Sequence, residues 1–113
     1  MAKSMMLALS NPVSKEREQE FNDWYDNVHA VQLLALPGIN RVRRYKAVRQ
    51  MLPPSDDGTP TYRYLAVYDV DDADAAITTI LENDPTFDMS DSMNFEGAFG
   101  VAFEQIFESG GTE

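Results

Sequence analysis

The residue types best suited to chemistry gather between Glu20 and Gly38, in the run EFNDWYDNVHAVQLLALPG. This run holds the only histidine of the chain, His29, and its only tryptophan, Trp24. Imidazole is the one side chain whose unperturbed pKa lies near neutrality, so His29 is the first candidate for a general acid or base. At about 100° per residue, Val28, Gln32, Tyr25, Ala35, Trp24 and Leu36 all fall within roughly 60° of Phe21 on a helical wheel. His29 falls about 80° from Phe21, at the Tyr25 and Leu36 edge of that apolar stripe. A group at such an edge is half desolvated and still within reach of a cavity. The plainer alternative is a boundary histidine bonded to a backbone carbonyl. Trp24 has the same two readings, pocket wall or core.

Other candidates lie further along the chain. Ile39 to Met51 (INRVRRYKAVRQM) gathers Arg41, Arg43, Arg44, Lys46 and Arg49. Strand alternation puts Arg41, Arg43, Tyr45 and Arg49 on one face and Val42, Arg44, Lys46 and Val48 on the other. Arg43 or a neighbour could dock an anionic group or hold a carbonyl or enolate oxygen as charge develops. The alternative is cross-strand pairing with an acidic residue. In Tyr62 to Val70 (YRYLAVYDV), Tyr62, Tyr64, Ala66 and Tyr68 share a face, which makes Tyr64 and Tyr68 pocket candidates beside Trp24 and Tyr25. In Phe95 to Phe107 (FEGAFGVAFEQIF), Phe95, Phe99, Val101, Phe103 and Phe107 fall to one side, which adds Phe99 as a candidate substrate contact.

The elements that must position these residues follow from the same patterning. Lys3 to Leu9 is an apolar strand ended by Ser10-Asn11-Pro12. A helix runs from about Glu16 to Leu36, with Glu16, Glu18 and Glu20 in its first turns, where negative charge suits the helix dipole, and Pro37-Gly38 stopping it. Ile39–Met51 is the second strand, Leu52–Thr61 a hairpin loop, and Tyr62–Val70 the third strand. Asp71-Asp72 caps a second helix, Ala73 to about Asn83, with Ala76, Ile77, Ile80 and Leu81 as its apolar stripe. Asp84–Asn94 is a loop in which Phe87 and Met89 are either a cover over a pocket or part of a simple connection. Phe95–Phe107 is the last strand, and Ser109–Glu113 a frayed tail.

The order βαββαβ within 113 residues is that of a single α+β domain of the ferredoxin-like kind, with a core over 3–108. It predicts a four-stranded antiparallel sheet with two helices on one face. The third and fourth strands read as aliphatic on one side and lined with Tyr and Phe on the other. An aromatic second face on so acidic a chain predicts a homodimer joined through its sheet faces, with an apolar pocket for a small molecule between helix and partner sheet unless the aromatics fill that space.

Composition excludes several classes. Nine Lys and Arg against nineteen Asp and Glu give a formal charge of −10, the wrong sign for a nucleic-acid binder. The absence of cysteine excludes disulfides, thiolate metal sites and a cysteine nucleophile, and a single histidine excludes a His-rich zinc site within one chain. No run is long enough to span a membrane, and the apolar patch near Met1 is too short for a signal peptide, so a cytoplasmic protein is expected.

The pattern Glu20-Phe21-Asn22, Trp24-Tyr25, His29, then Leu36-Pro37-Gly38-Ile39 and Arg43-Arg44-Tyr45, resembles the dimeric α/β-barrel superfamily, its EthD-like members in particular. The later Tyr64-Leu65-Ala66-Val67-Tyr68-Asp69-Val70-Asp71 fits as well. The resemblance implies a ferredoxin-like protomer and a dimeric α/β barrel. The superfamily includes cofactor-free monooxygenases, polyketide cyclases, muconolactone isomerases, aldoxime dehydratases and haem-degrading enzymes, and many EthD-like members have no assigned reaction. Its helix histidine is a recurrent suspect, which carries over to His29. No cofactor or metal is expected; His29 alone could serve haem as an axial ligand, and nothing else in the sequence favours haem. The resulting expectation is a cofactor-independent enzyme moving a proton on an apolar aromatic or polyketide-like molecule. A non-catalytic binding or accessory protein on the same fold is the alternative.

Overall fold

The computed structural model describes residues 3–111. Four strands, β1 (Ser4–Ser10), β2 (Ile39–Lys46), β3 (Tyr64–Val70) and β4 (Phe99–Glu104), form one antiparallel sheet in the order β2-β3-β1-β4. After a 3-10 turn at Lys15–Arg17, helix α1 is built from three runs: Glu18–Trp24, a π-helical turn at Tyr25–His29, and Ala30–Leu34. The residues at both junctions keep right-handed helical angles, so the helix is unbroken. Helix α2 (Ala73–Asn83) starts where the Asp72 carboxylate accepts from the Ala75 N–H at 2.8 Å, a side-chain cap of the expected kind.

Both helices lie on one face of the sheet, and the core fills the space between. Met6, Tyr64, Ala66, Tyr68 and Val70 rise from the sheet to meet Phe21, Trp24, Tyr25 and Leu33 of α1 and Ala76 of α2. Gly38, at φ +87°, makes the turn from α1 into β2 in the left-handed region that a side chain disfavours. Among the described residues no helix is long and apolar enough to cross a membrane.

Three expectations need correction. The chain does not form the expected barrel: β2 and β4 are open edges, each paired on one side only. Four strands are too few to close around a filled interior, which takes about eight. Nor do the Tyr and Phe rows share a face. The register sets Tyr64 opposite Ser10 and Tyr68 opposite Met6, all buried beneath the helices, while Phe99 and Phe103 pair with Leu9 and Met5 on the other face. Lastly, β2 ends at Lys46 rather than Met51, and β4 spans Phe99–Glu104 rather than Phe95–Phe107. At both places the apolar alternation runs on past the residues that have a strand partner. Of the tail, Ser109–Gly111 has no regular structure, and 112–113 lie outside the described residues.

Candidate active site

The π-helical turn decides which side chains of α1 reach the interior. An extra residue in one turn sets everything after it back by about one position on the wheel. The buried stripe therefore passes from Phe21, Trp24 and Tyr25 to Ala30 and Leu33, and Ala35 of the predicted stripe is exposed. His29, the last residue of the π turn, is swung from the edge of the stripe toward the core.

There it sits in an aromatic box. The Trp24 ring stacks on the imidazole with centroids 4.7 Å apart, and the Tyr25 ring meets it edge-on at 5.0 Å. Phe87, from the loop after α2, closes a third side at 6.1 Å. Nδ1 of His29 is sealed from solvent and has no hydrogen-bond partner among the described residues. Burial lowers its pKa to about 4; Asp84 pulls the other way and Arg44 adds to the lowering. At neutral pH His29 is therefore uncharged.

His29 lines a cavity of about 260 Å³ between the helices and the β1–β4 side of the sheet. Tyr25, Tyr68, Leu33, Phe87 and Met89 share its walls, and Asp84 stands among them as the only carboxylate among the described residues that line it. The Tyr25 and Tyr68 hydroxyls are bonded to each other at 3.1 Å. Burial raises both phenol pKa values, so both stay protonated. The lining is otherwise apolar, the usual make-up of a small-molecule site.

The loop carrying Phe87 and Met89 is tied down rather than free. Trp24 Nε1 donates to the Asp88 carbonyl at 2.7 Å, and Gln32 exchanges hydrogen bonds with Asp88 at 2.9 and 3.0 Å. Arg17 reaches the Asp91 carboxylate at 2.5 Å. The loop is a fixed wall of the cavity.

The remaining candidates lie elsewhere. Trp24 backs His29 without lining the cavity. Tyr64 is held by Asn22 at 3.1 Å and by a short bond to the Glu18 carboxylate, away from the cavity. Arg43 points to the helix-free face and pairs with Asp69 through two hydrogen bonds of 3.0 and 3.2 Å. Phe99 is on that same face and 49% exposed. A larger concavity there, about 670 Å³, runs past Lys3, Arg43, Asp69 and Glu104. Its arginine is already paired with Asp69, and no histidine lines it, so the smaller cavity is the better candidate.

Sequence reasoning missed two residues around the site. Arg44 packs its guanidinium 4.2 Å from the Tyr25 ring centroid and bonds Asp26 and Asn22 at 2.7 and 3.0 Å. Its placement on the face opposite Arg43 was the available signal. Asp84 precedes Pro85 in the 3-10 turn that ends α2, a pattern that signals a turn and says nothing of a site. Among the described residues no three of His, Cys, Asp and Glu are grouped to hold a metal ion.

No protein-family model matches this chain, and no curated protein does. Solved structures do. HapK from Hahella chejuensis superposes with a TM-score of 0.58 at 14% identity, covering 97% of this chain and 99% of its own. An EthD family protein from Bacillus halodurans C-125 gives 0.59 at 15%, covering 94% and 100%. A candidate monooxygenase from Shewanella loihica PV-4 gives 0.55 at 11%, covering 96% and 99%. At such identities the likeness is one of fold alone: the chain shares the ferredoxin-like fold of these structures.

Proposed function

We propose that the protein acts on a small apolar molecule, aromatic or polyketide-like, by cofactor-independent proton transfer in the His29 cavity. Isomerisation, cyclisation and dehydration are the reaction types in view, with cofactor-free oxygenation as a variant. The observation that carries this reading is the position of the only histidine: half-buried against a mostly apolar cavity, in an aromatic box, with one sealed nitrogen lacking a partner. Buried imidazoles are ordinarily hydrogen-bonded, and perturbed groups in clefts cluster at functional sites. Tyr25 and Tyr68 join His29 at the site, while Trp24 holds the imidazole in place. The fold hosts many reactions and does not choose among them.

The first test is an NMR titration of the His29 ring, with and without a panel of aromatic ketones and quinones. A pKa far below 6.5 that moves again on adding a ligand is the expected result. A normal pKa that ignores every ligand would refute the site. Replacing His29 by Asn then separates enzyme from carrier. An enzyme loses turnover, by roughly 10²–10⁴-fold, with affinity largely kept; a binding or accessory protein changes affinity alone.

The helix-free face of the sheet supports a further part of the reading, a homodimer joined through the sheet faces. Met5, Leu7, Leu9, Leu65, Val67, Phe99, Val101 and Phe103 share this face by register, and no helix covers it. A cytoplasmic setting goes with this reading on composition alone.

A further inference from the structure

We infer that the cavity recognises a carbonyl oxygen through two neutral donors, His29 Nε2–H and one tyrosine O–H, with Asp84 as the base that takes a proton from the adjacent carbon. This rests on the proposed small-molecule site and narrows it to enolisable aryl ketones.

The donor side follows from accounting for hydrogens. His29 Nδ1 is sealed and unpartnered. A proton there would be a buried donor with no acceptor, the costlier of the two defects, whereas a bare lone pair is the lesser one. The proton of the neutral ring therefore sits on Nε2, the nitrogen that is not sealed, on a residue that lines the cavity. Tyr25 and Tyr68 bond only to each other. Whichever donates, the other keeps one O–H unspent beside the cavity. Two neutral donors and apolar walls suit an oxygen that gains charge, and an uncharged imidazole can serve as such an electrophile.

The base follows by elimination. With its proton on Nε2 and its other nitrogen sealed, His29 offers the cavity no acceptor. Asp84 is the only carboxylate in the lining, and its side chain makes no hydrogen bond or ion pair among the described residues. It is exposed, so it exchanges protons with water. In the step, the Cα–H bond breaks and the proton passes to the Asp84 carboxylate. The electron pair becomes the enolate, whose oxygen is held by the two donors. Return of a proton from Asp84 to the same carbon gives exchange, and return to another carbon gives isomerisation.

The test uses the whole protein and acetophenone carrying ¹³C at its carbonyl. The nitrogen NMR spectrum of the free protein should show the His29 proton on Nε2; a proton on Nδ1 overturns the inference with no variant needed. Bound acetophenone should show a carbonyl stretch lowered relative to water-free solvent, and its methyl protons should exchange in D₂O faster than without protein. D84N, a change at an exposed position, should keep the lowered stretch and slow exchange by about 100-fold or more. Exchange unchanged in D84N overturns Asp84 as the base, and binding with an unshifted carbonyl overturns the two donors; either result leaves a small-molecule site intact. If neither acetophenone nor the ketone and quinone panel disturbs the His29 signals, the site itself falls.

Discussion

A histidine held neutral by burial makes stability depend on pH in a definite direction. The His29 pKa is near 6.5 in the unfolded chain and about 4 in the folded one. Above pH 6.5 the ring is neutral in both states and contributes no pH dependence. As pH falls from 6.5 towards 4 the unfolded chain takes up a proton that the folded chain refuses, so stability declines with a slope of at most about 1.4 kcal/mol per pH unit. The loss amounts to about 3 kcal/mol and levels off below pH 4. Carboxylates with lowered values, such as Glu18 bonded to Tyr64, bring their own acid loss only below about 4.5. The interval from 6.5 to 5 therefore belongs to His29. Urea melts across that interval should show the decline in the native protein and a flat line in His29→Phe. The adjacent arginines give a second contrast. Arg44 is 15% exposed, bonded to Asp26 and Asn22 and stacked on Tyr25. Arg44→Ala should cost about 2–3 kcal/mol. Arg43→Ala removes a solvent-screened pair with Asp69 and should leave the denaturation midpoint within error. Equal losses would show that Arg44 is not the structural member of the pair.

At the scale of elements, α1 shows both what patterning reads and where it stops. Phe21, Trp24 and Tyr25 were legible as the buried stripe because the first two precede the π turn and Tyr25 opens it, so the wheel still applies to them. Beyond it the wheel selects Gln32 and Ala35, whereas Leu33 is the residue buried, at 4% exposure, with Leu34 at 40%. No residue type announces a π turn; it arises from how α1 packs on the sheet, which a local pattern does not contain. The same limit hid Asp84, whose role depends on α2 ending beside His29. By contrast, the Asp72 cap, the βαββαβ order and the β3 alternation are local signals, and they appear in the structure where they were read. Leu33→Ala should therefore cost about 2–4 kcal/mol and Leu34→Ala no more than about 0.5 kcal/mol. Thermal or urea melts of the two variants decide it, and a larger loss for Leu34 would mean that α1 has no register shift in solution.

For the whole molecule, the unresolved demand is the second face of the sheet. Helices cover one side, and the other presents Leu7, Leu65 and Val67 beside Phe99 and Phe103, the last 44% exposed. A contiguous apolar face of this kind is unusual on a free protomer. Charge bears on what covers it. Two copies at −10 each repel at long range, yet Lys3, Arg41 and Arg43 stand along this face against Asp69 and Glu104, so the face is less acidic than the chain around it. A second copy can thus meet face to face with its apolar strands in contact and its excess charge turned outward. Added salt should screen the remaining repulsion and hold or tighten the pair, the opposite of an interface built on ion pairs. Sedimentation equilibrium at tens of micromolar protein is expected to give a dimer from low to half-molar salt. Phe103→Glu, at a position open to solvent in the protomer, should fold normally and sediment as a monomer, because a carboxylate would be buried without a partner. A monomer in the native protein at every salt concentration would rule out the sheet-face dimer, and a Phe103→Glu variant that still pairs would move the contact to another surface.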